Sequence, residues 1–177
     1  AEYFAQSYVG DYPLKYTSGV ELRTADCEST GIAEIGFVGR VLLNAYNALE
    51  YGEANGREDL AANARSIFDS YLRYGFTPGG LLREVVDFKR GRETDVYSIR
   101  RQSEGVYALL NYLAYEKQQG RSHPEWEARI RTLLEKFLSL QNPDGSFPRK
   151  FRDNLTVVDA SGGSTPSATL PLTMAYT

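Results

Sequence analysis

The chain repeats its pattern of apolar residues with an offset of 66 residues. The two copies share the same apolar spacing: Leu60, Ala64, Ile67, Phe68, Tyr71 and Leu72 in the first, and Trp126, Ile130, Leu133, Leu134, Phe137 and Leu138 in the second. The same register continues past these segments, where it aligns Gly79 with Gly145 and Asp87 with Asp153. A fixed period of this length indicates stacked structural units, each too small to bury its apolar face alone.

Each repeat unit is predicted to contain two helices of different character. Segments 58–73 and 124–140 carry one apolar stripe among polar residues, which is typical of a helix with one face in water. Segments 31–50 and 104–117 are apolar around most of their circumference, so we expect inner helices that are more buried than the outer pair. A fifth segment, 168–176, is predicted to begin another inner helix.

Alternating inner and outer helices, joined as hairpins, describe an α/α toroid. The predicted fold class is therefore all-α, an α/α toroid or partial toroid with a repeat of about 66 residues, and 1–177 is predicted to form one domain. The segment LLEKFLSLQNPDGSF (133–147) resembles the repeat of α/α-toroid proteins, in which an outer helix ends in Phe-Leu before a Gln and a turn with Asp-Gly. This element is found in terpenoid cyclases and, in looser form, in six-hairpin glycosidases and polysaccharide lyases. The sequence lacks the aspartate-rich motifs DDxxD and DxDD, so the resemblance favours the six-hairpin glycosidase-like superfamily.

The length of the chain corresponds to only part of such a toroid. Six hairpins at this period need about 400 residues, whereas the chain has 177. Stacked repeats also need at least three units and polar end caps, and here the last segment is apolar. We therefore expect a fragment of a larger protein, or an oligomer that completes the core through another chain.

Composition narrows the classes of partner. A net charge of −3 without a basic block predicts no nucleic-acid binding, and no apolar run approaches the roughly 20 residues of a membrane span. One cysteine (Cys27) and one histidine (His123) provide no His- or Cys-rich metal site, and no phosphate-binding glycine loop is present, so we predict no metal and no cofactor. Localisation stays open; a bacterial periplasmic or secreted protein whose signal peptide was removed is compatible with the sequence.

The resemblance implies a cleft at one end of the inner helices, lined by the long loops that precede them. Three such loops, 11–31, 84–104 and 149–167, are rich in carboxylates, arginines and tyrosines. Long loops on one side of a repeat array usually carry the binding face. Tyrosine, of which the chain has 13, presents an apolar face and a polar tip, a combination that suits the recognition of sugars.

Glu104 is the principal candidate for a catalytic acid. It lies in Arg101-Gln102-Ser103-Glu104-Gly105, which resembles the Ser-Glu-Gly-like helix entry that some six-hairpin glycosidases carry with an acidic general acid. A carboxyl group buried at a helix start can retain its proton through desolvation and act as a general acid. Two structural interpretations compete: a glutamate near a helix start complements the macrodipole, and Arg100 and Glu104 have the i, i+4 spacing of an ion pair.

Glycoside hydrolysis requires a second carboxylate. The candidates near the first inner helix are Asp26, Glu28 and Glu34, and Asp95 and Asp159 are further options. The resemblance also implies substrate-binding residues in the second loop, which we assign as follows: Tyr97, Arg100, Arg101 and Asp95.

The predicted function is that of a carbohydrate-active protein, a glycoside-hydrolase-like enzyme or part of one, acting on an oligo- or polysaccharide. One alternative is a polysaccharide lyase, in which Tyr97 is the base or acid and Arg100 or Arg101 holds a uronate. The other is a helical scaffold or binding domain without catalytic activity.

Overall fold

The computed structural model describes residues 1–17, 20–21, 26–36 and 40–176, with 20–21 and 26–28 described at the backbone only. The helices of these ranges are α1 (Glu2–Ser7), α2 (Val41–Ala54), α3 (Glu58–Tyr74), α4 (Ile99–Gln118), α5 (Pro124–Leu140) and α6 (Pro166–Tyr176). The strands are β1 (Tyr8–Val9), β2 (Tyr16–Thr17), β3 (Val20–Glu21), β4 (Asp26–Ser29), β5 (Ile32–Glu34), β6 (Val85–Asp87), β7 (Arg92–Glu93), β8 (Tyr97–Ser98), β9 (Lys150–Phe151) and β10 (Val157–Asp159).

The predicted all-α class is wrong, because the described strands form four small antiparallel sheets. The regions read as long loops from the sequence contribute most of these strands. β5 pairs with β6 and β6 with β7, while β8 pairs with β9 and β9 with β10. In each three-stranded sheet, one strand precedes a pair of helices and the other two form the β-hairpin that follows the same pair. The first strand pairs with this hairpin, through Ala33 and Val86 in one sheet and through Tyr97 and Phe151 in the other. The sheets therefore tie the two ends of each helical hairpin together.

The two outer helices occupy the predicted positions. α3 and α5 have the same length and begin 66 residues apart, at Glu58 and Pro124. The register then shifts by one residue in the following turn. Gly80 and Gly145 have equivalent backbones, with φ of 83° and 85°, so Gly80 takes the place predicted for Gly79.

The first inner helix is shorter than the predicted range 31–50. Residues Ile32–Glu34 form β5, and α2 begins only at Val41. Gly31 has φ of 75° and Arg40 has φ of 41°, and both values lie in the left-handed region that interrupts a right-handed helix. The backbone N–H groups of this segment bond to the β6 side of the fold instead, as Ile35 does to the carbonyl of Glu84 at 3.1 Å.

The burial contrast between inner and outer helices holds for the second pair and fails for the first. α4 packs against α2, α5 and α6, whereas α5 buries only one stripe: Ile130, Leu133, Leu134, Phe137 and Leu140. α3 buries a wider face, because α1 and the segment after it cover its outer side. Lys15 N–H donates to Ser70 Oγ at 2.9 Å, and the Tyr8 hydroxyl donates to Ser66 Oγ at 3.1 Å.

The segment predicted as a third inner helix is helical. α6 packs on α4, and the two helices together with α5 border an apolar groove of about 400 Å³ lined by Leu113, Leu134 and Met174 among others. Leu170 on α6 is 54% exposed. In the described part of the chain no helix is long and apolar enough to cross a membrane.

Candidate functional site

The start of α4 carries three of the predicted site residues, Arg100, Arg101 and Glu104. β8 runs directly into α4, and the Ser98 hydroxyl at the junction accepts the N–H of Arg101 at 3.3 Å, which caps the helix. Gly36 lies so close to α4 that a Cβ there would be 2.9 Å from the Cα of Arg101. The first turns of α4 are therefore fixed beside the segment that follows β5.

Glu104 is half-buried, with its side chain 22% exposed, and arginines contact both of its carboxylate oxygens. Arg100 Nε donates to Oε1 at 3.1 Å, and Arg40 Nε lies 3.7 Å from Oε2. The i, i+4 ion pair expected from the spacing is therefore confirmed. Arg40 is the residue just before α2, so its contact with Glu104 connects the starts of two inner helices.

Arg101 lies between two glutamates on neighbouring segments. Its Nη2 is 2.8 Å from Glu34 Oε1 on β5, and its Nη1 is 3.7 Å from Glu84 Oε2. Arg101 and Glu104 are three residues apart on α4, so both ion pairs belong to one surface at the start of that helix. We call Arg40, Arg100, Arg101, Glu104 and Glu34 the arginine–glutamate cluster.

Glu84 is the residue that sequence reasoning missed. Its side chain is fully buried, and its Oε1 accepts the N–H of Ser98 at 2.6 Å and Nε2 of Gln102 at 3.1 Å. Burial is the largest influence and raises the pKa of Glu84 to about 7, although the bond from Ser98 and the interactions with Gln102 and Arg101 act in the opposite direction. Glu84 therefore changes its charge near neutral pH directly behind Arg101.

Gln102 connects Glu84 to the strand side of the fold. Its amide accepts the N–H of Leu82 at 2.9 Å and donates to the carbonyl of Leu82 at 2.7 Å, as a neighbouring strand would. The sequence contains no local signal for this arrangement, because Gln102 lies among polar residues in 100–104 and Glu84 is 18 positions earlier in the chain.

Two predicted substrate-binding residues have other surroundings, which burial and an ion pair define. Tyr97 is buried in β8, and burial raises the pKa of its hydroxyl to about 12, with Glu93 as the next contributor. Asp95 is 80% exposed and forms an ion pair with Arg152 at 2.6 Å. Neither residue is among the contacts of Glu104 given above.

The other predicted carboxylates have different outcomes. Asp26 and Glu28 belong to the backbone of β4, but their side chains lie outside the described part of the structure, so their pairing with Glu104 stays a prediction. Asp159 accepts the N–H of Ser161 at 3.0 Å and lies 3.4 Å from Arg149. Within the described residues, no group of three His, Cys, Asp or Glu side chains is placed to hold a metal ion.

Comparison with known proteins supports the fold and not the chemistry of individual residues. No protein-family model matches the sequence, and no curated protein matches it. A sugar epimerase from a ruminal bacterium is similar in structure, with a TM-score of 0.67 and 17% identity, over 99% of this chain and 45% of the epimerase chain.

A second similar structure is that of UGL, an unsaturated glucuronyl hydrolase, as a variant with dGlcA-Glc-Rha-Glc. Its TM-score is 0.62 at 15% identity, over 98% of this chain and 52% of that chain. The chain thus spans about half the length of each structure. Both are carbohydrate-active, six-hairpin-glycosidase-like enzymes, and at these identities the likeness shows the fold alone.

Proposed function

We propose that this chain serves a carbohydrate-active function, and that its sugar-binding site is the arginine–glutamate cluster at the start of α4. The proposal depends on one observation: three arginines and two glutamates meet on one surface. One glutamate is on β5, one arginine directly precedes α2, and the other three residues are on α4. The fold likeness to two carbohydrate-active enzymes supports the class of substrate.

The charge of the cluster favours a sugar that carries a carboxylate. The guanidinium groups of Arg100 and Arg101 are partly exposed, with Glu104 and Glu34 as their partners. Guanidinium forks bind carboxylates in a bidentate manner and donate to hydroxyl groups, so an incoming uronate can exchange with a resident glutamate. The terminal dGlcA of the ligand in the UGL structure is a sugar of this kind.

We assign Glu104 the role of proton-transferring carboxylate in a glycoside-hydrolase-like reaction. Arg100 donates to one oxygen of Glu104 and Arg40 lies 3.7 Å from the other. A carboxylate has about four acceptor positions, so a substrate hydroxyl group can hydrogen-bond to Glu104 beside these arginines. Asp26 or Glu28 is proposed as the second carboxylate. A separation of roughly 5–5.5 Å between the two carboxyl groups would give retention of configuration, and a wider one inversion.

The lyase alternative receives less support. A tyrosine base must lose its proton, and the burial that raises the pKa of Tyr97 to about 12 opposes this at neutral pH. A binding domain without catalytic activity would bind the same sugar but would not hydrolyse it, so measurements of binding and of hydrolysis distinguish it from an enzyme.

The test uses dGlcA-Glc-Rha-Glc with the chain as it stands. Calorimetry measures binding, and the ultraviolet absorbance of the unsaturated sugar together with mass analysis of the products measures hydrolysis. We expect both, and we expect Glu104→Gln to lower the hydrolysis rate at least tenfold, or about 1.4 kcal/mol of barrier. Glu135→Gln, the same change at an exposed position of α5, is the matched control and should leave the rate unchanged.

Each other outcome removes a defined part of the proposal. Binding without turnover would contradict the hydrolase role and favour a binding domain. A rate unaffected by Glu104→Gln would exclude Glu104 from catalysis. No binding of the acidic sugar would contradict the assigned site.

A further inference from the structure

A polar groove lies on the outer side of α3, and its residues are not part of the arginine–glutamate cluster. One cavity of about 870 Å³ separates α3 from the segment that contains Tyr12. A second cavity of about 320 Å³ lies between the end of α3 and the start of α5, where Trp126 lines it. Arg73 and Tyr74 line both cavities, so the two adjoin at the end of α3, and we call them together the α3 groove.

The walls of the α3 groove are held in place by contacts within the protein. The segment beside α3 is fixed by the bonds of Tyr8 to Ser66 and of Lys15 to Ser70 described above. Tyr12 stacks on Phe88 with ring centroids 4.4 Å apart and planes 12° from parallel. Such a surface loses little conformational freedom when a ligand binds, which favours affinity.

The far end of the groove is similarly ordered. Trp126 stacks on His123 with centroids 4.1 Å apart, and it remains half-buried. Arg129 donates from Nη1 to the carbonyl of Leu72 at 2.9 Å, which connects α5 to α3. Tyr74, between the two cavities, is 55% exposed. Three aromatic side chains therefore line the α3 groove: Tyr12 in the larger cavity, Trp126 in the smaller one, and Tyr74 in both.

Charged residues of both signs accompany these rings. Arg65, Asp69 and Arg73 lie four residues apart on α3, so they recur at intervals of roughly 6 Å along one face of the helix. A lining with both donors and acceptors suits hydroxyl groups, because a hydroxyl group both donates and accepts hydrogen bonds. A polyanion would need a predominantly positive electrostatic potential, which a lining of mixed charge does not provide. Aromatic faces match the apolar faces of sugar rings.

We propose that the α3 groove binds a neutral oligosaccharide chain, with Tyr74 and Trp126 stacking on sugar rings and with Asp69 and Arg73 hydrogen-bonding to hydroxyl groups. This surface is separate from the proposed catalytic cluster and different in chemistry, because the cluster is assigned to an acidic sugar. The groove would hold a chain of sugar residues rather than act on a bond.

The test uses the fluorescence of Trp126, the single tryptophan of the chain. The protein is titrated with cellohexaose, maltohexaose and a hexamer of galacturonate, and calorimetry supplies an independent dissociation constant. We expect at least one neutral hexasaccharide to change the fluorescence. Tyr74→Ala should raise its dissociation constant about threefold or more, the loss of one aromatic contact.

Tyr51→Ala is the matched control, because Tyr51 is a similarly exposed tyrosine on α2 outside the groove. This variant and Glu104→Gln should bind the neutral sugar as the unaltered chain does. The proposal would be overturned if neither neutral hexasaccharide changed the fluorescence of Trp126 or gave a heat of binding in calorimetry. Equal losses in the Tyr74 and Tyr51 variants, or binding of galacturonate alone, would overturn it as well.

Discussion

Replacing Glu84 by glutamine should stabilise the protein at alkaline pH and leave its stability nearly unchanged at acidic pH. The substituted amide oxygen can still accept the N–H of Ser98 and the amide of Gln102, which both bond to Oε1 in the present structure. The substitution therefore removes a buried negative charge while it keeps the shape of the side chain and its two hydrogen bonds.

The magnitude follows from the pKa of Glu84, which burial raises from 4.5 to about 7. Because a raised pKa of an acid means that the folded state prefers the neutral form, the stability contribution is complete below pH 4.5 and is lost as the pH rises through 7. One pKa unit corresponds to about 1.4 kcal/mol, so the full loss is about 3 kcal/mol. The variant has no titrating group at this position and avoids that loss.

The assay is urea unfolding at pH 5 and pH 8, followed by circular dichroism and by Trp126 fluorescence. The free energy of unfolding of Glu84→Gln, minus that of the unaltered chain, should be about 2–3 kcal/mol larger at pH 8 than at pH 5, which means that the variant is the more stable protein at pH 8. Glu135→Gln on α5 should show no such difference. An equal effect of Glu84→Gln at both pH values would refute the argument that Glu84 titrates while buried.

Two further stability predictions test other parts of the fold. Gly79→Ala should destabilise the folded protein by roughly 1–3 kcal/mol in thermal unfolding, because the added Cβ would lie 2.5 Å from the Asp153 carboxylate. Gly163→Ala is the control and should be neutral, because nothing lies within 4 Å of a Cβ at that position. Equal unfolding midpoints for the two variants would contradict this prediction. Glu116→Ala should cost about 1.5–3 kcal/mol at neutral pH, because the buried carboxylate accepts two bonds from Arg121 at 2.6 and 2.7 Å. Hydrogen bonds from Arg121 lower the pKa of Glu116, so this contribution is present above its ordinary pKa and is lost as the pH falls through the lowered value. An acid-unfolding midpoint that is the same with and without Glu116 would contradict it.

The sequence predicts the long amphipathic helices well. α3 and α5 each carry 17 residues with a helical apolar period, which is long enough for the pattern to outweigh local exceptions. The same reasoning fails for the strands, because they are two to four residues long and cannot display a clear alternation. β5 also pairs with β6, whose residues lie about fifty positions later in the chain, and no local signal encodes that pairing.

The candidate site shows the same division between local and distant contacts. The Arg100–Glu104 pair follows from i, i+4 spacing on one helix and is confirmed. The contacts of Arg101 with Glu34 and Glu84 depend on the approach of β5 and the segment before β6 to α4, so they become visible only in the fold. Arg40, which the sequence places inside a helix over 31–50, instead directly precedes α2 and pairs there with Glu104.

The most direct test of the proposed function is amide hydrogen exchange of the chain with and without dGlcA-Glc-Rha-Glc, read by mass spectrometry. If the arginine–glutamate cluster binds the acidic sugar, protection should increase in peptides that contain residues 98–104, 32–34 and 40–44. Arg101→Ala should abolish that protection, and Tyr74→Ala should not. Binding of the sugar without added protection at the start of α4, or protection that persists in Arg101→Ala, would contradict the assignment of the site.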